Sequence, residues 1–312
     1  MKPPKTLVVF GATGQQGGSV INFVLDHPEL SSQYKIRAVT RVPSKPAAQA
    51  LQERGVEVVK ADLYDRESLD KALRGAHTVF GITCTIFDDS AYVKEYLQGK
   101  NLADAVVAAG AQYFIYGTVR HAGEVSGGKH SAVHAFDVKA DIEKYIRTLP
   151  IKSAFFTPSV YMQDFHNFFF TPKRQEDGTY VIFQVVKPDS VFEFFDPASD
   201  TGKFVGAILA EPDKFAGKTL CAVSTFCSFS DVAEMISKST GKTVKYKQVS
   251  LDEYDQIMPT SHSRIVANVM LFLEEHGYFG GLKKEVEWST SCHHEKLTTF
   301  EEFIEKNPFH LE

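Results

Sequence analysis

The chain has 312 residues, of which 43% are hydrophobic and 23% are charged, and its formal net charge at pH 7 is -5. This length and composition predict a soluble globular protein with one large core and a smaller lobe. Because lysine and arginine form no dense block, neither direct nucleic-acid binding nor attachment to an anionic membrane is expected.

Residues 1–157 alternate between strand-like and helix-like segments. Short runs rich in β-branched residues predict strands at 7–10, 36–40, 56–59, 78–83, 113–118 and 153–157. Apolar residues at helical spacing predict helices at 19–30, 66–75, 93–110 and 137–149. Because strands that alternate with helices form βαβ units, we predict an α/β fold with a Rossmann-type, doubly wound parallel sheet.

From residue 158 the pattern changes to aromatic-rich segments. A phenylalanine-rich stretch at 165–170 precedes a pair of strand-like runs at 179–186 and 191–195, and a helical pattern follows at 203–211. We predict that residues 158–312 form a smaller C-terminal α/β lobe on the carboxyl edge of the sheet. Some of its segments should return to the Rossmann sheet, so that both parts share one cleft.

Four cysteines, at positions 84, 221, 227 and 292, are scattered without a Cys-x-x-Cys pair. The apolar stretch near the N-terminus is too short for a secretion signal. No apolar run approaches the ~20 residues that span a bilayer, so no membrane partner is expected. We expect a reducing compartment, the cytoplasm, with the nucleus as an additional location.

The sequence GATGQQGGSV, residues 11–20, directly follows the first predicted strand. Gly11 would turn the chain, Gly14 would let a pyrophosphate approach the backbone, and Gly17 would let the helix pack closely on the strand. The first amides of that helix would face the phosphates, assisted by the helix dipole. We therefore predict dinucleotide binding, with a plain glycine-rich turn as the alternative.

The end of the second predicted strand indicates which dinucleotide binds. An acidic residue there accepts a hydrogen bond from the 2′-hydroxyl of NAD, whereas an arginine accommodates the 2′-phosphate of NADP. Residues 31–52 contain no aspartate or glutamate; the strand ends at Thr40 and Arg41, with Arg37 and Lys45 nearby. The predicted cofactor is NADP(H), and a solvated surface role for Arg41 is the alternative.

Several segments of the chain resemble the NmrA-like family, an atypical branch of the short-chain dehydrogenase/reductases. They are residues 11–20, AVTR at 38–41, residues 58–83, and HAFDVKADIEKYIR at 134–147. The resemblance extends along nearly the whole chain and is greatest to the mammalian NmrA-like redox-sensor proteins. It implies an NADP-binding Rossmann domain with a C-terminal lobe, and roles in sensing NADP(H) redox state and binding regulatory partners, with related reductases on the same scaffold.

The resemblance also implies where the cofactor would lie. The residues that would line its phosphates are Gly11, Thr13, Gly14, Gln15, Gln16 and Gly17. Arg41 would meet the 2′-phosphate, and Asp62 and Leu63 would border the adenine. Around the ribose and the nicotinamide, the implied residues are Thr83, Thr118, Lys139 and the segment from Pro158 to Phe165, which includes Tyr161.

One residue departs from the pattern of catalytic short-chain dehydrogenases. Catalytic short-chain dehydrogenases carry a proton-donating tyrosine four residues before the lysine that corresponds to Lys139. That position is Ala135, whose methyl group cannot donate a proton. The neighbouring His134 is a candidate substitute donor, with a polar cleft or helix-start role as the alternative. Lys139 and His134 are therefore the candidate catalytic residues.

A Tyr-x-x-x-Lys match does occur at Tyr96 and Lys100, but it precedes the fifth predicted strand. We interpret it as an ordinary helix end with Gly99 near the cap. The sequence Cys292-His293-His294 is too local to complete four metal ligands, so we predict no metal site there, only strand residues. No Gly-x-Ser-x-Gly elbow of a hydrolase occurs.

An aromatic group surrounds the predicted nicotinamide site. Core packing is the expected role of these residues, with an apolar pocket lid or a partner-binding surface as alternatives. They are Phe155, Phe156, Tyr161, Phe165, Phe168, Phe169 and Phe170.

The leading functional hypothesis from sequence is a non-catalytic or weakly catalytic NADP(H)-binding regulator, or redox sensor, with a regulatory protein partner. The alternative is an NADPH-dependent reductase of a small apolar carbonyl, quinone or imine substrate. A third hypothesis is a structural scaffold that the cofactor merely stabilises. We expect a monomer or a homodimer.

Overall fold

A parallel sheet at the centre of the protein carries the glycine-rich loop. The structure, a computed structural model, describes residues 3–86, 90–167, 169–258 and 263–312. Its strands are β1 (Lys5–Val9), β2 (Tyr34–Thr40), β3 (Glu57–Lys60), β4 (Thr78–Gly81), β5 (Tyr113–Gly117), β6 (Lys152–Pro158), β7 (Val160–Tyr161), β8 (Lys173–Arg174), β9 (Tyr180–Gln184), β10 (Val191–Phe195), β11 (Thr219–Ala222), β12 (Thr225–Ser228) and β13 (Val244–Gln248).

Helices flank the sheet on both faces and also occur throughout the C-terminal half. They are α1 (Gln15–Asp26), α2 (Pro28–Gln33), α3 (Pro46–Glu53), α4 (Arg66–Ala72), α5 (Ala91–Ala108), α6 (Ala122–Val125), α7 (His134–Arg147), α8 (Pro197–Ala210), α9 (Pro212–Phe215), α10 (Phe229–Thr240), α11 (Leu251–Ile257), α12 (Ser263–His276), α13 (Lys283–Thr290) and α14 (Phe300–Lys306). A short 3₁₀ helix covers Met162–Phe165. Within the described ranges, no helix is long and apolar enough to cross a membrane.

The central sheet has seven strands in the order β11-β6-β5-β4-β1-β2-β3, and every neighbouring pair is parallel. After β3 the chain crosses back over β1 to form β4, so the strand order reverses between β1 and β4. Ligands of such sheets bind outside the carboxyl ends of the strands at this switch point. The predicted Rossmann-type, doubly wound sheet is confirmed.

The predicted elements of residues 1–157 agree with the structure except in three places, one of which is the short helix α6, which was not predicted. All six predicted strands are present, with ends shifted by one or two residues. The helix predicted at 19–30 is divided into α1 and α2 at His27, whose Nδ1 accepts a hydrogen bond from the backbone amide of Leu30 at 3.4 Å. Pro28 follows and begins α2, the first position at which a helix tolerates proline. Helix α3 was not predicted.

The two strand-like runs at 179–186 and 191–195 form β9 and β10, which lie in different sheets. β9 lies in a three-stranded sheet of order β13-β9-β8, whereas β10 lies in another of order β12-β10-β7. β9 is parallel to β13, and β10 is antiparallel to β12. Each run therefore lies between one earlier and one later strand, β8 and β13 for β9, and β7 and β12 for β10.

Part of the C-terminal half returns to the Rossmann sheet. β11 pairs with β6 at the edge of the sheet, and α8 packs along α1. Gly202 and Gly206 on α8 leave room for Phe23 on α1, since a Cβ built at either glycine would lie 2.4 Å or 2.2 Å from atoms of that side chain. The buried Ser19 hydroxyl also accepts a hydrogen bond from the amide of Gly202 at 3.0 Å.

Hydrophobic clusters fill both faces of the sheet and the C-terminal lobe. Neighbouring residues of a strand point to opposite faces, so Phe155 and Phe156 on β6 are fully buried in two different clusters. Phe165 and Phe170 belong to the third cluster, in the C-terminal lobe. Core packing, expected for the aromatic group, thus describes these four residues, while Phe168 lies outside the described residues.

Gly99 lies in the middle of α5, not near a helix end as predicted. A Cβ at this glycine would come within 2.5–2.6 Å of three side-chain atoms of Ile142 on α7. The residue therefore permits α5 and α7 to pack closely. Lys100, the second member of the Tyr-x-x-x-Lys match, pairs with Asp104 one turn further along α5 at 2.6 Å.

Candidate functional site at the switch point of the sheet

The glycine-rich loop forms a tight turn between β1 and α1. Gly11 has a φ of 64°, the left-handed region that favours glycine, and a Cβ there would lie 2.7 Å from Cδ1 of Ile82. A Cβ at Gly17 would lie 2.3 Å from the carbonyl oxygen of Gly11. Gly14 precedes α1 and has no side chain to cap its first amides. The loop therefore leaves these amides available to an anion at the helix N-terminus.

A cavity of about 520 Å³ lies beyond the loop, at the carboxyl ends of β1, β2 and β3; we call it the outer cavity. It brings together six of the residues predicted to bind the cofactor, namely Gly11, Thr13, Gly14, Arg41, Asp62 and Leu63. The sequence analysis missed Tyr64 and Gln98, which also line it and whose side chains are hydrogen-bonded to each other at 2.9 Å.

Positive charge in the outer cavity comes from Arg41 and Lys45. Arg41 is exposed and makes no hydrogen bond or ion pair with the part of the chain that the structure describes. Arg37, by contrast, is held away by Glu57 at 3.0 Å and by the carbonyl oxygen of Ala72 at 2.9 Å. The guanidinium that can meet a ligand phosphate is therefore that of Arg41.

A second cavity of about 340 Å³, the inner cavity, lies between the sheet and the C-terminal lobe. It contains six other predicted cofactor residues, namely Gln16, Thr83, Thr118, Lys139, Pro158 and Tyr161. Ile82 borders both cavities, which therefore adjoin at the switch point. Two predicted cofactor residues remain. Gln15 is exposed and lines neither cavity. Gly17 packs directly against the backbone of Gly11 and so shapes the loop.

Most of the remaining wall of the inner cavity is apolar. The sequence analysis did not foresee the contribution of α12, because helical spacing does not reveal which site an apolar face covers. The apolar residues of this wall include Phe136, Phe169, Phe170, Ile265, Val266, Val269, Met270 and Leu273.

Lys139 is held by a buried carboxylate that the sequence did not indicate. Its ammonium donates hydrogen bonds to Glu95 on α5, of which only 1% of the side chain is exposed, and to Oγ1 of Thr83 at 3.3 Å. Thr83 in turn donates to Glu95 at 2.7 Å and lies 3.2 Å from the hydroxyl of Tyr116. Since an ammonium has three donors, one remains for a ligand in the cavity.

Gln16 and Tyr161 connect the glycine-rich loop with the C-terminal lobe. Nε2 of Gln16 donates a hydrogen bond to the hydroxyl of Tyr161 at 2.5 Å, and burial raises the pKa of this tyrosine. Oε1 of Gln16 is buried and accepts no hydrogen bond from the described residues. A buried acceptor without a partner is costly, so this oxygen suits a ligand that carries a donor.

Asp164 is a carboxylic acid on the wall of the inner cavity. Desolvation by burial raises its pKa to about 6, although a hydrogen bond from Nδ2 of Asn167 at 2.8 Å opposes the shift. Burial also raises the pKa of the tyrosines on this wall, Tyr161 and Tyr278, further above neutrality. Asp164 is thus the better acid near neutral pH, and it was missed because no pattern distinguishes an aspartate in a short 3₁₀ turn.

The start of α7 places Ala135 on the inner cavity and His134 outside it. His134 is exposed, since successive residues of a helix point about 100° apart. It is therefore not positioned to donate a proton into the cavity. Residues 292–294 follow α13 in an irregular segment rather than a strand, and His293 packs on Phe204 with ring centroids 4.4 Å apart.

The parallel sheet, the loop after β1 and the cavities at the switch point define a Rossmann-type α/β protein. The sequence profile of the NmrA-like family matches residues 3–304, and the chain belongs to this family. An NmrA-like family domain-containing protein of Dictyostelium discoideum is 29% identical over 99% of both chains. The NmrA-like family domain-containing oxidoreductase cpsB of Aspergillus campestris is 30% identical over 82% of this chain and 79% of its own.

Solved structures show the same fold. The negative transcriptional regulator NmrA in complex with NADP is 23% identical, with a TM-score of 0.76 over 99% of both chains. The NADPH-dependent quinone oxidoreductase of Escherichia coli complexed with NADPH is 21% identical, with a TM-score of 0.77 over 96% of this chain and 99% of that one. At these identities, the similarity concerns the fold.

Proposed function

We propose that this protein is an NADPH-dependent reductase of a small apolar electrophile. The observation that carries the proposal is the inner cavity, which is mainly apolar, adjoins the outer cavity and contains Lys139 and Asp164. A cavity that only had to hold a cofactor would need neither an apolar wall contributed by α12 nor an acid with a pKa of about 6.

NADPH fits the residues present. The contact between Gly11 and Gly17 keeps the loop narrow and its amides accessible, as a pyrophosphate requires. Arg41 and Lys45 supply positive charge for the 2′-phosphate in the outer cavity. In the inner cavity, Lys139 has one donor to offer a ribose hydroxyl, and Oε1 of Gln16 can accept from an amide. When bound, the cofactor supplies a hydride.

Asp164 is assigned the proton that completes the reduction. A carboxyl with a pKa of about 6 can deliver a proton to a developing oxyanion or nitrogen anion near neutral pH. Lys139 is assigned a positioning and electrostatic role, since Glu95 neutralises it and Thr83 fixes its direction. The wall from α12 excludes water from the reacting centre.

The substrate class follows from the same wall. Ala135 offers no phenol, so a substrate that accepts hydride readily and spreads the resulting charge is favoured over a simple alkyl ketone. Quinones and other conjugated, apolar carbonyl or imine compounds have this property. Two of the proteins compared above carry related names, an NADPH-dependent quinone oxidoreductase and an NmrA-like oxidoreductase.

A second candidate is an NADP(H)-dependent regulator, and the observation that favours it is Ala135 itself. The residue lies on the cavity wall, beside the cofactor site, where a catalytic short-chain dehydrogenase carries its tyrosine. A protein that only bound the cofactor and reported its redox state would not need that hydroxyl. The similarity to NmrA, named a negative transcriptional regulator, is consistent with this candidate.

Turnover separates the two candidates. We expect the wild-type chain to oxidise NADPH in the presence of apolar quinones faster than the uncatalysed background, and Asp164→Asn to lower that rate by about 10²-fold, as loss of a positioned acid does. Val269→Phe should fill the inner cavity and raise KM while NADPH still binds. Val93→Phe, the same change at a residue of α5 that is 69% exposed, is the matched control.

Failure of the reductase proposal would look different from loss of the fold. If calorimetry shows NADPH binding but no quinone, imine or conjugated carbonyl raises NADPH oxidation above background, the regulator becomes the supported function. If Asp164→Asn retains the wild-type rate, proton delivery by this residue is refuted.

A further inference from the structure

A cluster of metal-binding side chains lies outside both cavities. His130 stands in the segment between α6 and α7, and Glu275 and His276 are the last two residues of α12. One ligand atom from each of the three residues lies within 4.8 Å of the others. Residues 145 positions apart in the chain therefore present two imidazoles and a carboxylate to one point.

We propose that His130, Glu275 and His276 form a binding site for a divalent transition-metal cation such as Zn²⁺. Two imidazoles and a carboxylate are the donor set that zinc accepts while keeping a fourth position open. The proposal is independent of the proposed reductase function.

The distances suit a shared ion. Nε2 of His130 lies 3.0 Å from Oε2 of Glu275, and Nε2 of His276 lies 3.8 Å from Oε1 of the same carboxylate. Ligand atoms about 2.0–2.2 Å from a tetrahedral zinc ion are separated by roughly 3.3 Å, between these two values. Coordination would require these side chains to move closer together, since the three ligand atoms lie within 4.8 Å of one another.

His276 provides the second observation that points to a ligand. Its Nε2 atom is buried and has no hydrogen-bond partner among the residues that the structure describes. The His276 ring lies edge-on to the His130 ring, with centroids 5.7 Å apart. A bound cation beside the carboxylate would give this buried ring nitrogen the partner that it lacks among the described residues.

Lys129 competes for the same carboxylate. Its ammonium lies 2.6 Å from Oε2 of Glu275, but 63% of the lysine side chain is exposed. Exposed ion pairs of this kind contribute little to stability, so a divalent cation would displace the Lys129 ammonium at a small cost in free energy. Removal of Lys129 should therefore tighten metal binding, an effect that a purely structural role of the cluster does not predict.

Metal binding would link two walls of the inner cavity. Leu273 on α12, one turn before His276, lines that cavity, as does Ala135, which follows His130 by five residues. Phe272 on α12 already contacts His130 and Phe136, with ring centroids 5.7 Å and 6.0 Å apart. A bound ion would fix the end of α12 against the segment that leads into α7.

Titration calorimetry of the full, chelator-treated chain with zinc chloride tests the proposal. We expect one zinc ion per chain, at least about tenfold weaker binding in His130→Ala and in His276→Gln, and tighter binding in Lys129→Ala. His310→Ala, a change at an exposed histidine elsewhere, should leave the affinity unchanged. Zinc should also raise the thermal midpoint of the wild type but not of His276→Gln.

Circular dichroism and NADPH titration establish that each variant is folded. Zinc affinity in His130→Ala and His276→Gln equal to that of the wild type would overturn the proposal. So would the absence of stoichiometric zinc binding to the wild-type chain, or an unchanged affinity in Lys129→Ala.

Discussion

The ion pair between Lys139 and Glu95 allows the most direct test of how the inner cavity is built. Lys139→Met keeps the length of the side chain but leaves the Glu95 carboxylate, which is 1% exposed, with the Thr83 hydroxyl as its one remaining side-chain partner among the described residues. Breaking a buried pair from one side costs about 3–5 kcal/mol. Because 18% of the lysine side chain is exposed and water can enter, we expect Lys139→Met to lower the free energy of unfolding by about 3 kcal/mol.

The reciprocal change, Glu95→Gln, should lower the free energy of unfolding by less, about 1–2 kcal/mol, because the Lys139 ammonium can turn towards water in the cavity. The double variant removes both charges, so we expect it to lower the free energy of unfolding by only about 1–2 kcal/mol. The difference between this value and the sum of the two single effects is the coupling energy, which we expect to be about 3 kcal/mol. Urea denaturation of the four proteins measures this coupling.

A matched cycle at Lys71 and Glu67, an exposed pair one turn apart on α4, should show no resolvable coupling. A coupling between Lys139 and Glu95 below about 1 kcal/mol would refute the argument that the carboxylate is buried and charged. NADPH binding should be weaker in Lys139→Met and remain weak in the double variant, because the third donor of the ammonium is absent from both.

Three further predictions concern the cofactor site and its acid. Arg41→Ala should weaken NADP(H) about tenfold or more and leave NAD(H) nearly unchanged in calorimetry; equal losses would contradict the 2′-phosphate contact. Gly17→Ala should abolish binding of both cofactors, because its Cβ would meet the backbone of Gly11 at 2.3 Å, whereas Gly18→Ala, with 3.6 Å to the nearest atom, should bind normally. The pKa of about 6 for Asp164 lies above the unfolded value, so this carboxyl should destabilise the fold by about 2 kcal/mol as the pH rises from about 4 to 6. Asp164→Asn should abolish that slope in pH-dependent urea denaturation, and an unchanged slope would contradict the assigned pKa.

Much of the cofactor half of the site could be predicted because its signals are local. Residues 11–17 lie within one β-turn-α unit, and a glycine with a positive φ beside a strand end has few alternative roles. Arg41 directly follows the neighbouring strand β2, and parallel strands place their carboxyl ends together. The family resemblance, which the profile match confirms, selected Thr83, Thr118 and Lys139 as residues around the ribose and nicotinamide, and all three line the inner cavity.

The acid of the inner cavity could not be found in this way. Sequence reasoning proposed His134 because it neighbours the missing tyrosine, but one residue along a helix changes the direction of a side chain by about 100°. Asp164 was overlooked since its raised pKa comes from the residues packed around it, not from its own neighbours in the chain.

Local sequence patterns specify the α/β class, the parallel arrangement of the strands in the first half, the glycine-rich loop and the cation that follows β2. These features depend on periodicity and on turns of a few residues, which each segment specifies alone. The tertiary structure decided which later strand β9 and β10 would pair with, and that Glu95 would neutralise Lys139. It also decided that α12 would close the inner cavity. These contacts join segments tens to more than a hundred residues apart, and burial, charge compensation and shape select them only when the whole chain has packed.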